Sequence, residues 1–320
     1  MLDKGVTTTS GNAKKPEPAN TASVPCATTL EPKKMLWAAA LWLIGLTACF
    51  AEPLFQLVTH ALHSADASHV LLVPFVCIYL VRIRRATATS GFKPSPVLGV
   101  VALLAGGGIL AARFAAARSG WQPALNDHLA VMTFAYLMFI YAGWLLFLGA
   151  THFRAHLFPA AFLLFMIPLP EFAKAAFERI LQQCSAVAAT AMITLSGMPV
   201  LSDGTTLQMP GFTFEVAPEC SGIRSTLVLL LTSLLAGYIL LRRPWSRAVL
   251  VLFVIPLGIL RNGFRILVLA QLCMRVSPDM IHSSIHKKGG PIFFTLSLVP
   301  LFLLFWLLRK MELRRSKQAL

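Results

Sequence analysis

The chain has 320 residues, of which 57% are hydrophobic and only 13% charged, with a mean hydropathy of +0.71. Soluble domains carry about 25% charged residues, so this composition excludes an ordinary soluble protein and points to a polytopic membrane protein. The net charge of +15 comes from Lys and Arg clustered between apolar runs, a pattern of cytoplasmic anchoring and not of nucleic-acid binding. Six cysteines, at 26, 49, 77, 184, 220 and 273, are scattered without a CxxC pair, which argues against a disulfide framework or a zinc site.

In chain order, residues 1–34 are polar and rich in Thr, Pro and Lys. They predict a disordered cytoplasmic tail and no cleavable signal peptide. A membrane domain is expected over 35–308, with spans at 35–58, 69–81, 96–117, 128–150, 157–169, 222–241, 248–272 and 291–308. The second and fifth are short of the ~20 residues a crossing helix needs. A ninth stretch, 171–196, carries Glu171, Lys174, Glu178, Arg179, Gln182 and Gln183 in its first half and reads as an interfacial or re-entrant helix.

Residues 199–219 are strand-like. Asp203-Gly204 and Pro210-Gly211 are turn dipeptides, and "FTFEV" alternates apolar and polar residues. A basic cytoplasmic tail is expected at 309–320. The fold class is therefore an all-α integral membrane protein of about eight transmembrane helices, with one interfacial or re-entrant helix and a small outward-facing cap.

Charge sets the expected orientation. With the N-terminus inside and 171–196 not crossing, the inside segments hold 18 of the 28 Lys and Arg, and the outside segments hold six. Eight spans with both termini cytoplasmic satisfy the positive-inside rule. Cys220 and the loop 273–290 then share the outer side.

Certain residues are costly where they stand. Arg261 and Arg265, with Asn262 between them, fall inside an apolar span, where a central arginine costs about 2.5–3.5 kcal/mol on insertion scales. Four residues apart, the two arginines project from one helix face. Cys220 stands at a polar boundary, in "APECSG". It reads either as a small core filler or as a nucleophile whose thiol a nearby cation and a helix N-terminus would acidify. Arg224, four residues on, shares its face if a helix begins near the cysteine. The cysteines at 49, 77, 184 and 273 read as core residues. His282 and His286 have the spacing of a metal pair, but no third ligand accompanies them, so no metal or other cofactor is expected. As a non-metal site, either could serve as acid or base near neutral pH. The remaining histidines read as structural, with His152 and His156 in a short cytoplasmic loop.

Three motifs carry a resemblance to the exosortase/archaeosortase family of membrane cysteine transpeptidases. They are "ECSGIRS" at 219–225, "NGFRI" at 262–266 and "HKKGGPIFF" at 286–294, similar to the family's Cys-Ser-Gly-x-Arg, Asn-x-x-Arg and His-x-x-x-Gly patterns and in the same order. The stretches 68–85 and 158–172 also look like family sequence, so the resemblance covers roughly 35–308. It implies Cys220 as nucleophile, Arg265 as the essential arginine and His286 as third catalytic member, with His282 as an alternative acid/base. Arg224, Asn262 and Gly290 match supporting motif positions. Arg261 matches none. The long polar N-terminal tail and the "PE" before Cys220 depart from the pattern and leave the subfamily open.

The resemblance further implies a protease or transpeptidase of the bacterial cytoplasmic membrane whose active site faces the periplasm. Its substrates would be secreted proteins with a C-terminal sorting signal: a short motif (Pro-Glu-Pro in the best-known class), a transmembrane helix and a basic cluster. Its partners would be membrane lipids and a glycan or lipid acceptor, in the setting of exopolysaccharide production. The residues alone also fit a transporter that binds an anion at Arg224, Arg261 and Arg265, a membrane transferase of exopolysaccharide assembly that uses histidine, or a non-catalytic assembly subunit.

Overall fold

The computed structural model describes residues 32–64, 67–84, 92–216, 222–275 and 290–318. The chain enters through α1 (Pro32–Cys49) and α2 (Ala51–His63), bent 73° from one another. Pro53 supplies the reason: it has no amide hydrogen for the Cys49 carbonyl, so the helix breaks one turn earlier. A single 3-10 turn leads into α3 (Val73–Arg84). α4 (Pro96–Arg118) begins on a proline at its first position, where no amide partner is lost. α5 (Leu125–Gly143) continues through a π-helical turn, Trp144–Leu148, into α6 (Gly149–Ala155). The short α7 (Leu157–Leu163) ends in a 3-10 turn, and "PLP" at 168–170 then turns the chain by 92° into α8 (Glu171–Leu195).

Three strands follow: β1 (Leu201–Asp203), β2 (Thr206–Met209) and β3 (Phe212–Glu215), paired antiparallel in the order β1-β2-β3. The predicted turn dipeptides form the two hairpin loops, with Gly204 at φ +59° and Gly211 at φ +89°, values glycine adopts without steric cost. α9 (Ile223–Leu240), α10 (Pro244–Arg275) and α11 (Gly290–Gln318) complete the described chain.

Among the described residues, five helices are long and apolar enough to cross a membrane: α4, the α5–α6 rod, α9, α10 and α11. The count rises to seven if each bent pair, α1–α2 and α7–α8, is one span. The expected eight is reached only by adding the short α3, so it depends on three bent or short segments. Exposed apolar side chains such as Trp37, Phe75, Val97, Leu104 and Val299 cover the outer faces, as suits helices that meet lipid.

One expectation is corrected. Residues 151–155 are not a loop but helix continuous with α5, and His156 is fully buried, its ring 4.4 Å from that of His152. Residues 309–318 are helical, the last turns of α11. There Glu312 accepts hydrogen bonds at 2.9 Å from the backbone amides of Arg242 and Arg243, docking the α9–α10 junction onto α11.

Packing divides into three clusters. Leu57, Val73, Leu137 and Phe162 join α2, α3, α5 and α7. Ala186, Ile193, Leu207, Val216, Ile266 and Ala270 join α8, the sheet and α10. Leu229, Leu250, Leu257 and Leu301 join α9, α10 and α11. Gly149 begins α6 after the π-helical turn: its φ is +85° and a Cβ there would sit 1.7 Å from the Lys93 carbonyl oxygen. Gly149→Ala is expected to lose about 3–5 kcal/mol, summing left-handed strain and a backbone clash. Gly107→Ala, where nothing lies within 4 Å, should be neutral or gain up to ~1 kcal/mol. Thermal unfolding of the two purified variants in detergent checks the contrast.

Candidate functional site

The site is organised by α10. Gly258 packs on Thr226 of α9, where an added Cβ would come 2.8 Å from the threonine hydroxyl. Gly263 packs on α8, where it would meet Ala188 Cβ at 3.0 Å and the Ala189 amide at 3.1 Å. These two small residues let α10 approach both neighbours closely. Because Gly258 faces Thr226, and Arg261 reaches Gly222, residues 262–275 project past the start of α9. That overhang is about 20 Å of helix at 1.5 Å per residue, and it packs on α8 and the sheet.

Arg261 and Asn262 lie in the seam between these helices, 9% and 2% exposed. Their burial in protein resolves the expense of placing polar groups in an apolar run, since neither faces lipid. Arg261 Nη2 donates to the Gly222 carbonyl at 3.2 Å. The Thr226 amide and hydroxyl donate to the same oxygen at 3.0 and 2.9 Å. Gly222 stands at the N-cap of α9 with φ +76° and ψ +15°. A Cβ there would lie 2.7 Å from Arg261 Nη2 and 3.6 Å from Asn262 Oδ1. Both the dihedral and the space require glycine. Arg265, one turn beyond Arg261, is half-buried.

Cys220, His282 and His286 lie outside the described residues, but the chain on either side of their segments is placed. Residues 217–221 run between Val216 and Gly222. Val216 is 1% exposed, its amide donates to the Thr205 carbonyl at 2.9 Å, and its own carbonyl accepts from Gln182 Nε2 of α8. Residues 276–289 run between the end of α10 at Arg275 and Gly290, the first residue of α11. Phe293 packs edge-on against Phe264, ring centroids 6.1 Å apart, so α11 begins beside the turn of α10 that carries Arg265. Thus the two segments containing the sequence-predicted cysteine and histidines start or end against one stretch of one helix.

Arg224 does not join this group. Arg224, in the first turn of α9, is exposed, and Cys220 lies outside the described residues. Gly290 is half-buried with open space around its Cβ position. Sequence reasoning missed Gln182 and the bond made by Arg261. The signal for both was present: each is a polar side chain in a helix with small neighbours. A cavity of about 30 Å³ beside the site brings His60, His69, Asn126 and Lys174 to Ile223 and Leu227, residues read from sequence as merely interfacial. Among the described residues no three His, Cys, Asp or Glu are grouped to hold a metal ion.

A multi-pass helical membrane protein with a buried arginine–asparagine seam between α8, α9 and α10 is the class that fold and geometry define. The chain belongs to the exosortase family: the family model described as transmembrane exosortase (Exosortase_EpsH) matches residues 58–303, about three quarters of its length. Neither a curated protein nor a solved structure matches it.

Proposed function

We propose that this protein is a membrane cysteine transpeptidase that cuts the C-terminal sorting signal from secreted proteins and passes them to a cell-surface acceptor. The observation that supports the reading is on one stretch of α10: buried Asn262 and half-buried Arg265 lie on the turns against which Gly222 and Phe293 pack, described residues that follow the Cys220 and His286 segments in the chain. Membership of the exosortase family supports the same membrane transpeptidase role.

In this reading the Cys220 thiolate attacks the scissile carbonyl and forms a tetrahedral intermediate, which Arg265 stabilises as oxyanion or orients. His286 protonates the departing amine, leaving an acyl thioester on Cys220. The same histidine then takes a proton from the acceptor, an amine or hydroxyl of a glycan or lipid, as that group displaces the thiolate. Water in its place gives plain proteolysis. His282 is the alternative acid/base.

The orientation follows from charge. Arg242, Arg243, Arg247, Arg309, Lys310, Arg314 and Arg315 gather at the α9–α10 junction and the end of α11, opposite the Gly222 end of the α9–α10 hairpin. The positive-inside rule assigns that basic end to the cytoplasm. The C-terminus is then cytoplasmic, as is the N-terminus with eight spans, and the site faces the periplasm from the inner membrane.

The direct test is to trap the acyl-enzyme. A secreted reporter ending in a Pro-Glu-Pro motif, a transmembrane helix and a basic cluster is co-expressed with the protein, and membranes are quenched in acid. A hydroxylamine-labile adduct on the Cys220 peptide, seen by mass spectrometry, is the expected result. Cleavage of the reporter with no such adduct, and no loss of cleavage on thiol alkylation, would sink the mechanism.

A further inference from the structure

We propose that the cavity between α1, α3, the α5–α6 rod and α7 binds an anionic phospholipid, with an acyl chain inside it and the phosphate on Arg82. Its volume is about 760 Å³, within the range of cavities that enclose small ligands. On the rod it is lined by Tyr136, Ile140, Trp144, Leu148 and His152, a stripe that repeats every four residues and so keeps to one helix face. At 1.5 Å per residue the stripe is about 24 Å long. That is deeper than the ~15 Å of hydrocarbon in one leaflet, so a lipid tail fits along it. The polar groups along its length are already paired. The Tyr136 and Thr47 hydroxyls share a hydrogen bond at 3.0 Å, and the Cys77 thiol donates to the Pro159 carbonyl at 3.4 Å. What they leave to a ligand is apolar surface.

The chemistry changes at one end. Arg82, exposed near the end of α3, lines the cavity together with His152 and Phe92, whose rings are 5.5 Å apart. Trp144 Nε1 donates to His152 Nδ1 at 2.9 Å, which makes Nε2 the proton-bearing nitrogen of the neutral ring. Further cations adjoin the lining: Lys33 and Lys34 precede Leu36, Lys93 follows Phe92, and Arg154 follows His152. No Asp or Glu occurs in α1, α3, α4, α6 or α7. A lipid tail gains no hydrophobic energy on entering, because bulk lipid is as apolar as the lining. Selection therefore comes from the headgroup, and cations without carboxylates select a phosphate of net negative charge. The same pattern disfavours the rival occupants. The transmembrane helix of a sorting signal would bring its own basic cluster to these cations, and residues 1–31 and 85–91 contain no apolar run to fill the slot.

The test reads the occupant directly. Full-length protein with a photo-crosslinking amino acid in place of Ile140 is reconstituted in vesicles of equal parts phosphatidylglycerol and phosphatidylcholine. After irradiation the adducts are identified by mass spectrometry. A second preparation carries the same amino acid in place of Val101, which is exposed on α4 and reports bulk lipid. The ratio of phosphatidylglycerol to phosphatidylcholine adducts is expected to be about tenfold higher at position 140 than at 101, the selectivity that one charge-assisted pair supplies. Arg82→Gln should bring it down to the bulk ratio. Arg315→Gln, which removes an exposed cation from α11, should leave it as it was. Equal ratios at 140 and 101 overturn the proposal, as does an Arg82→Gln ratio that matches wild type or an equal fall in Arg315→Gln. So does an adduct at 140 to a peptide of this chain or, with the reporter present, to the reporter's helix. Should protein altered at 140 fail to fold, Ile78, which lines the cavity from α3, carries the probe and the same outcomes decide. None of these readouts depends on Cys220, so the lipid site and the transpeptidase reading stand or fall separately.

Discussion

Cys220→Ala is expected to stop reporter processing altogether. Removing the nucleophile of an enzyme that works through an acyl intermediate removes the covalent route, a loss of about 10⁶ in kcat where comparable nucleophiles have been deleted. Residual oxyanion stabilisation without a nucleophile leaves a rate too small to see in cells. Cys220→Ser is expected to fail nearly as completely. A serine hydroxyl keeps its proton at neutral pH, whereas a thiol is already partly ionised and a neighbouring cation increases that fraction. The check is the amount of cleaved reporter in cells expressing equal amounts of each variant in the membrane. Unchanged cleavage by stably expressed Cys220→Ala would make the cysteine a core filler and leave the transporter and transferase readings standing. Both of those tolerate its loss.

The second large effect is expected at Gly222, two residues after Cys220 in the chain. Gly222→Ala forces a Cβ into a left-handed residue at φ +76° and within 2.7 Å of Arg261 Nη2. The strain costs about 1–2 kcal/mol of stability. The arginine's end is flexible and can retreat, but retreat breaks its bond to the Gly222 carbonyl. A displacement of about 1 Å at a reacting group is enough to cost a hundredfold in rate, so processing should fall by about that factor. Gly211→Ala separates the two causes. Gly211 is equally left-handed, at φ +89°, yet nothing lies within 4 Å of its Cβ position. It should lose similar stability and keep its activity. Melting temperatures and processing rates of the two variants, measured side by side, check this. Equal activity losses would reduce Gly222 to a turn glycine.

The costly polar residues of α10 were legible in the sequence, and the way they pack was not. Polar residues at 261, 262 and 265 stand out in any apolar run, because hydrocarbon penalises them wherever they point. The strands at 201–215 were equally legible, since their turns need glycine or proline at fixed places. The helix face that Cys220 and Arg224 share if a helix begins near the cysteine falls on a residue outside the described ones; α9 is described from Ile223, after a left-handed Gly222.

The helix over 149–155 escaped for a different reason. Polar residues such as Thr151, His152 and Arg154 suggest a loop, yet the π-helical turn at Trp144–Leu148 and the buried ring of His156 carry the rod through. The helix of α11 runs on through 309–318, where Glu312 docks the α9–α10 junction, a contact between residues about 70 apart in sequence.

The sequence by itself determined that this chain is a helical membrane protein, which residues in it are chemically expensive, and, through three ordered motifs, the family it belongs to. Those properties are local: they follow from transfer energies and turn preferences that each short stretch carries alone. Only the tertiary structure decided which expensive residues meet. Arg261, absent from the motif pattern, sits on the Gly222 carbonyl, Gln182 holds Val216, and Arg224 is turned outward. These outcomes depend on how closely α8, α9 and α10 approach one another. Small residues at Gly258, Gly263 and Ala188 set that approach, and their effect exists only once the helices are packed.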